Sequence, residues 1–306
     1  MFPNSIDSKV TIITIYHNRE SGVIESISSL IHQSYKNIEI IIVDDFSSDN
    51  TYNLLSDKFG QIPNIKIVRN NENLGFTNSL INVLNTVDSK YAAIHGAGDI
   101  SDINRIATQV DYLERNTDVG VVGTKLHNHK AEFKNVEVVS ANELLVRNRL
   151  THGTAMFKMD VYRKAGGYRS YFTFRQDKDL WYRIILISKI HVIPDKLYTL
   201  IKFQNSVSEQ SAKSEIPTLL SCFASYLFKE RLKTGTDSLD KYSEKAALLF
   251  NPTNCNKLLL RLIYLNSLNR KFDVCYEYSS FLLRFNRKSL LAPIFYGIRQ
   301  FFKLIS

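Results

Sequence analysis

The stretch IEIIIVDDFSSDNTYNLLSDKF, residues 38–59, joins two kinds of pattern. Ile38 to Val43 is a short, nearly continuous β-branched run, which predicts a strand buried on both faces. Asp44 and Asp45 follow it. Ser47, Ser48 and Asp49 then supply a turn and a cap for a helix. The same unit recurs on either side. VTIITIY (Val10–Tyr16) precedes SGVIESISSLIHQ, whose Val23, Ile27, Leu30 and Ile31 have helical spacing. IKIVRN (Ile65–Asn70) precedes GFTNSLINVLNTV, YAAIH (Tyr91–His95) precedes SDINRIATQVDYLERN, and VGVVGT (Val119–Thr124) follows. Such alternation predicts βαβ units on a mostly parallel sheet, an α/β fold.

Sheets of this kind bind ligands outside the carboxyl ends of their strands. The polar residues at those ends are Tyr16-His17-Asn18-Arg19, Asp44-Asp45 and the run from His95 to Asp99. A parallel sheet brings all three groups to one edge. Two acids directly at a strand end exceed what capping requires. They suit a base, a ribose or a metal-bound phosphate, although Ser47, Ser48 and Asp49 show that turn formation alone is the simpler alternative. In HGAGD (His95–Asp99) the glycines permit close approach of backbone to a ligand. This is not the dinucleotide fingerprint, which needs its glycines directly after the first strand. TIYHNRE has none there, so a dehydrogenase is not expected. A nucleotidyltransferase would call for a basic, glycine-rich signature near the N-terminus, and none is present.

After Thr124 the pattern loosens. GTAMFK (Gly153–Lys158) reads as a strand. DVYRKAGGYR reads as a short helix ending at Gly166-Gly167, and QDKDLWYRIILIS as a helix with an acidic first turn. Asp177 and Asp179 in that turn suit the helix dipole, and an acid there is also placed to act as a general base. His152, just before the strand, is either a hydrogen-bonded structural residue or a ligand. From Glu215 the sequence is helical in character, including SEKAALLF and a final APIFYGIRQFFKLI.

Composition separates the two parts. From Ser211 onward fifteen Lys and Arg face seven Asp and Glu, which accounts for +8 of the net charge of +9. The tail carries Arg284, Arg287, Lys288, Arg299 and Lys303 without an acid, interleaved with Phe281, Phe285, Phe295, Tyr296, Phe301 and Phe302. Such a segment can lie on an anionic membrane surface, or it can be a helical subdomain with a solvated basic face. No nucleic-acid module accompanies it, so no nucleic-acid partner is expected. Three widely spaced cysteines, Cys222, Cys255 and Cys275, show no metal spacing and point to a reducing compartment. No secretory signal or membrane-spanning run is apparent. The expected location is cytoplasmic, with the inner membrane face as the place for a peripheral contact.

Five segments in order carry a resemblance: VTIITIYHNRESGVIESISSLIHQSYKNIEIIIVDDFSSDNT, NNENLGFTNSLINVL, GAGDISDINRIATQVDYL, HGTAMFKMDVYRKAGGYR and QDKDLWYRI. Together with DKLYTLIKFQNSVS they resemble a family 2 glycosyltransferase of the GT-A fold, over roughly Lys9 to Ser208. The resemblance implies a Rossmann-like mixed sheet flanked by helices as a domain over residues 1–210. A basic helical region over 211–306 would follow it.

It also implies inverting transfer of a sugar from a nucleoside diphosphate donor to a hydroxyl of a glycan or lipid-linked acceptor, as in bacterial polysaccharide synthesis. Thr14, Tyr16, Asp44 and Asp45 fall where the family holds the nucleoside. Gly96, Gly98 and Asp99 fall at the D-x-D region, which in the family binds a divalent ion, Mg²⁺ or Mn²⁺, on the diphosphate. Here both acids of the usual D-A-D are glycine, so Asp99 remains alone, with His152 or His95 as helpers. The other outcome is weak or absent metal dependence. Asp177 aligns with the catalytic base. Arg105 and Arg183 are candidate cations for the diphosphate or acceptor, or else structural ion-pair partners. The missing acids keep a second function open, a catalytically weak sugar-nucleotide-binding subunit of a glycan assembly complex.

Overall fold

The computed structural model describes residues 8–128, 134–146, 148, 150–203, 216–250 and 292–305, with individual positions between 260 and 283. The chain divides into two compact units, Met1–Glu209 and Gln210–Ser306.

The first unit is built on a sheet with nine strands among the described residues, in the order β3-β2-β1-β4-β8-β6-β9-β5, with β7 paired to β9. Strands β1 (Val10–Tyr16), β2 (Ile38–Asp44), β3 (Ile65–Arg69) and β4 (Tyr91–Gly96) run parallel. Every residue of β1 is buried, which explains why it is nearly all apolar, Thr11 and Thr14 apart: helices cover both faces. Full burial of a side chain such as Ile12 or Ile13 contributes about 1.5–3 kcal/mol each. Helices α1 (Val23–Ile31), α2 (Thr51–Phe59), α3 (Phe76–Leu84) and α4 (Arg105–Arg115) supply that cover. In α1, Val23, Ser26, Ile27 and Leu30 are buried, a single face at the spacing of three and four.

Beyond β4 the sheet is mixed. β8 (Met156–Lys158) is antiparallel to both β4 and β6 (Val119–Leu126). The segment GTAMFK divides into a 3-10 turn at His152–Thr154 and this short strand. β9 (Lys189–Thr199) runs parallel to β6, while β5 (Ile100–Ser101) and β7 (Glu137–Val139) pair with it antiparallel. The β6–β9 register shifts between Gly123 and Lys125, whose partners are Val192 and Lys196, and Pro194 falls in that bulge. A proline inside a strand is tolerated there because it has no ladder N–H to offer. Helices α5 (Ala141–Val146), α6 (Met159–Lys164) and α7 (Gln176–Ile184) also belong to this unit. The chain leaves α6 through Gly166 and Gly167, both at positive φ.

In the second unit, helices span Ile216–Thr234, Ser238–Tyr242 and Ala292–Ile305. Asp237 caps the middle one, accepting from the N–H groups of Leu239 and Asp240 at 3.1 Å each. SEKAALLF, helical in character by sequence, forms a 3-10 segment over Ser243–Leu248; Ser243 at its start takes φ 50. Phe295 and Phe302 join Ile263 and Cys275 in a small core, whereas Ile294, Tyr296, Phe301 and Leu304 are exposed. Arg299 donates to the Tyr276 hydroxyl at 2.8 Å. Phe281, Arg284, Phe285, Arg287, Lys288 and Cys255 lie outside the described residues. Among those described, no helix is long and apolar enough to cross a membrane.

Candidate active site

The parallel register sets the site. Tyr16 pairs with Asp44, Asp44 with Arg69, and Ile15 with Gly96. The ends of β1, β2 and β4 therefore share one edge. Among the described residues of this unit, three non-glycine residues adopt left-handed φ: Asn18 (47), Phe46 (59) and Arg175 (61). Two follow β1 and β2 directly, and the third precedes Gln176-Asp177. Such strain costs roughly 1–3 kcal/mol per residue and gathers at functional sites. The rim of the edge is open at His17, Asn18 and Phe46, with Tyr16 and the acid pair buried beneath.

The acid pair is split in role. Asp45 Oδ1 accepts from Asn70 Nδ2 at 2.7 Å, Leu74 N at 2.9 Å and Ser79 Oγ at 3.0 Å. It ties the β3–α3 loop to the end of β2. Asp44 Oδ2 accepts from Ser47 N at 3.2 Å and faces Arg69 Nε at 3.4 Å, while its buried Oδ1 has no protein partner. Thr14 is buried with its hydroxyl oxygen also unpartnered. The Tyr16 hydroxyl accepts from Gly98 N at 3.4 Å, and burial pushes its pKa up to about 12.

The HGAGD turn is held from the far side of the chain. Asp99 Oδ2 accepts from the Tyr198 hydroxyl at 2.7 Å and Oδ1 from Ile201 N at 2.8 Å. The Tyr198 oxygen in turn accepts from Gly96 N at 2.8 Å. Burial raises the Asp99 pKa, opposed by these hydrogen bonds and by the charges of Arg105 and Arg19. Gly98 sits at φ 87, and the room expected beside it for a ligand is filled. A Cβ there would lie 2.5 Å from Cε2 of Phe203. The same ring carries the Arg19 guanidinium 4.5 Å from its centroid.

Arg105, expected near the diphosphate, is fully buried and committed to the protein. It donates to Ile94 O at 2.7 Å, Ser101 Oγ at 2.9 Å and Gln109 Oε1 at 3.2 Å. Its Nη1 also meets His95 Nδ1 at 3.4 Å. A guanidinium only donates, so Nδ1 accepts and Nε2–H of His95 donates to Asp99 O at 3.0 Å. Burial, then the charge of Arg105, lowers the His95 pKa to about 3. Arg183 is likewise structural: it pairs with Asp179 at 2.7 Å and donates to Ala165 O. Asp179 also takes both Arg169 donors, so the second acid of QDKD is a buried anchor for two arginines.

Asp177 stands apart from that anchor. It is half-buried at the start of α7, and its Oδ2 accepts from Asn148 Nδ2 at 2.7 Å. Burial pushes the His152 pKa down and the Tyr168 pKa well up; the Asp177 charge opposes the first shift and adds to the second. His152 Nε2 lies 2.7 Å from the Tyr168 hydroxyl. The turn after His152 reaches the Asp99 cluster, because a Cβ on Gly153 would meet the Tyr198 oxygen at 2.6 Å. Tyr198, Phe203, Tyr168 and Asn148 were not singled out from sequence. Their roles arise from contacts between distant segments, which no local pattern announces.

The expected metal ligands do not assemble. Both Asp99 oxygens are engaged, His95 is buried with both ring nitrogens bonded, and His152 is turned to Tyr168. Among the described residues no group of three or more His, Cys, Asp or Glu is arranged to hold an ion.

Known proteins share this architecture. S. aureus TarS 1-349 in complex with UDP-GlcNAc superposes with a TM-score of 0.62 at 15% identity, over 95% of this chain and 87% of that one. The Pyrobaculum calidifontis mannosyltransferase PcManGT, in complex with GDP-Man and Mn²⁺, gives 0.60 at 16% identity, over 92% and 87%. In sequence, 117 residues are 40% identical to an uncharacterized glycosyltransferase of Haemophilus influenzae, covering 38% of this chain and 36% of that protein. A further match is 33% identical over 183 residues to the putative glycosyltransferase EpsE of Bacillus subtilis, covering 57% and 66%. The chain thus spans less than two thirds of either relative. Residues 11–180, from β1 into α7, match the family model Glycosyl transferase family 2; that is more than half of the sequence, and the chain belongs to this family.

Proposed function

We propose that the protein is an inverting glycosyltransferase. It moves a sugar from a nucleoside diphosphate donor to a hydroxyl of a glycan or lipid-linked acceptor in cell-surface polysaccharide synthesis. The observation that carries this reading is the shared edge of β1, β2 and β4, where the open acceptor of Asp44, the Tyr16 hydroxyl and the HGAGD turn converge. Family membership supports it, and relatives and structural neighbours carry glycosyltransferase names and nucleotide-sugar ligands.

In this reading Asp44 and the end of β1, from Thr14 to Tyr16, hold the nucleoside, while Asp45 shapes the loop around it. Asp177 takes the proton from the acceptor hydroxyl as its oxygen attacks the anomeric carbon from the face opposite the leaving group. The bond from that carbon to the diphosphate oxygen breaks, and the electron pair leaves with the diphosphate. The exposed apolar residues Ile294, Phe301 and Leu304, with Lys303 among them, support a peripheral contact with an anionic membrane where a lipid-linked acceptor resides.

A melting panel tests the donor. A ligand that binds the folded state raises the apparent Tm, by a stabilisation that grows with the logarithm of its concentration above Kd. At least one nucleotide sugar is expected to raise it in that concentration-dependent way; a panel without any shift overturns the reading.

A further inference from the structure

We propose that this site compensates the charge of the donor diphosphate with the Arg19 guanidinium and not with a divalent cation. The inference rests on the glycosyltransferase reading above and deepens it.

The donor set does not suit an ion. Mg²⁺ and Mn²⁺ favour oxygen ligands. At the position aligned with the metal-binding motif, Gly96 and Gly98 have no side chain to offer. Asp99 Oδ2 already accepts from the Tyr198 hydroxyl and Oδ1 from the Ile201 N–H, so each oxygen has one acceptor position committed to the protein. An apolar ring fills the space beside Gly98. Phe203 Cε2 and Cζ lie 2.5 and 2.7 Å from the Gly98 Cβ position, and Cζ lies 2.9 Å from that of Gly22. Two glycines from different loops thus make a shelf for one phenyl ring, which has no lone pairs for a metal.

The ring positions a cation of another kind. Arg19 lies in the loop between β1 and α1, half-buried, with its guanidinium 4.5 Å from the Phe203 centroid. No carboxylate lies within ion-pair distance of it among the described residues, although Asp99 and Asp49 are near enough to be felt electrostatically. A cation–π contact at this distance does not itself consume the N–H donors of the guanidinium, which a further partner can take. That planar fork matches a phosphate in two-point contact, and a preorganised charge there stabilises the electron pair arriving on the leaving diphosphate. An arginine retains its charge throughout. Tyr198, Asp99 and Phe203 are then parts of one scaffold that presents Arg19 to the diphosphate.

The test is a set of melts on the full chain with UDP, GDP, dTDP or CDP and with the corresponding nucleosides, in EDTA or in Mn²⁺. One diphosphate is expected to raise Tm equally in both conditions. Arg19→Ala should weaken that diphosphate by about tenfold or more while leaving the affinity of the nucleoside and the ligand-free Tm near the parent values. Arg19→Lys should fall between, because an ammonium is a point charge and not a fork. Stabilisation that requires Mn²⁺, or an Arg19→Ala variant with unchanged diphosphate affinity, overturns this proposal alone. Absence of any diphosphate effect in either condition sinks it together with the donor reading.

Discussion

The carboxylate of Asp99 folds back over Gly96, so that Oδ2 occupies the space a side chain at Gly96 would need. The glycine is thus explained by the protein's own acid and not by an incoming ligand. Gly96→Ala is expected to push the carboxylate off the Tyr198 hydroxyl, at a cost of about 1.5–3 kcal/mol for a charged hydrogen bond lost in the interior. Urea unfolding measures it. A variant as stable as the parent would mean that Asp99 is free to move away.

The two neighbouring acids predict opposite phenotypes. Asp45→Ala strips the acceptor from Asn70, Leu74 N and Ser79, so its first effect is on stability, about 1–3 kcal/mol. Asp44→Ala removes the oxygen that has no protein partner, so its first effect is on nucleoside affinity, read by ligand-induced shifts in Tm. Equal losses of binding and stability in both variants would contradict the division.

His95 makes folding sensitive to acid. It is neutral in the fold, with its pKa lowered from 6.5 to about 3 by burial and by Arg105. The unfolded chain therefore binds the proton first as pH falls. Stability is fully present above about pH 6.5 and declines toward pH 3, by up to about 1.4 kcal/mol per pH unit from this group. Asp99, whose pKa is raised, works in the opposite direction at the acid end, so the slope must be compared between variants. His95→Gln should flatten the profile of Tm against pH in that window; an unchanged slope would show that His95 titrates normally.

The parallel half of the sheet is legible because β1, β2 and β4 are buried on both faces, and continuous apolar runs have few other homes. The convergence of Tyr16, Asp44 and Gly96 follows from that alone. β9 escapes the same reasoning: Pro194 and Asp195 interrupt KIHVIPDKLYT, and only the bulge opposite β6 makes room for them. Asp177 and Asp179 look alike in a helix's first turn. At two residues apart they face different ways, and one meets Arg169 and Arg183 while the other meets Asn148. Nor does any local pattern reveal that Phe203 returns to lie on Gly22 and Gly98. The glycines of HGAGD are visible as an opportunity for close approach; what approaches them is set by packing across the unit.

The most direct test of the account is hydrolysis of the nucleotide sugar that binds, with water as acceptor, followed by NMR of the released sugar before it mutarotates. The account predicts release with inverted anomeric configuration, and a loss of about 10²-fold or more in the Asp177→Asn variant, whose donor-induced rise in Tm is retained. Release with retained configuration, an Asp177→Asn variant that turns over at the parent rate, or a donor that binds and is never cleaved would contradict it.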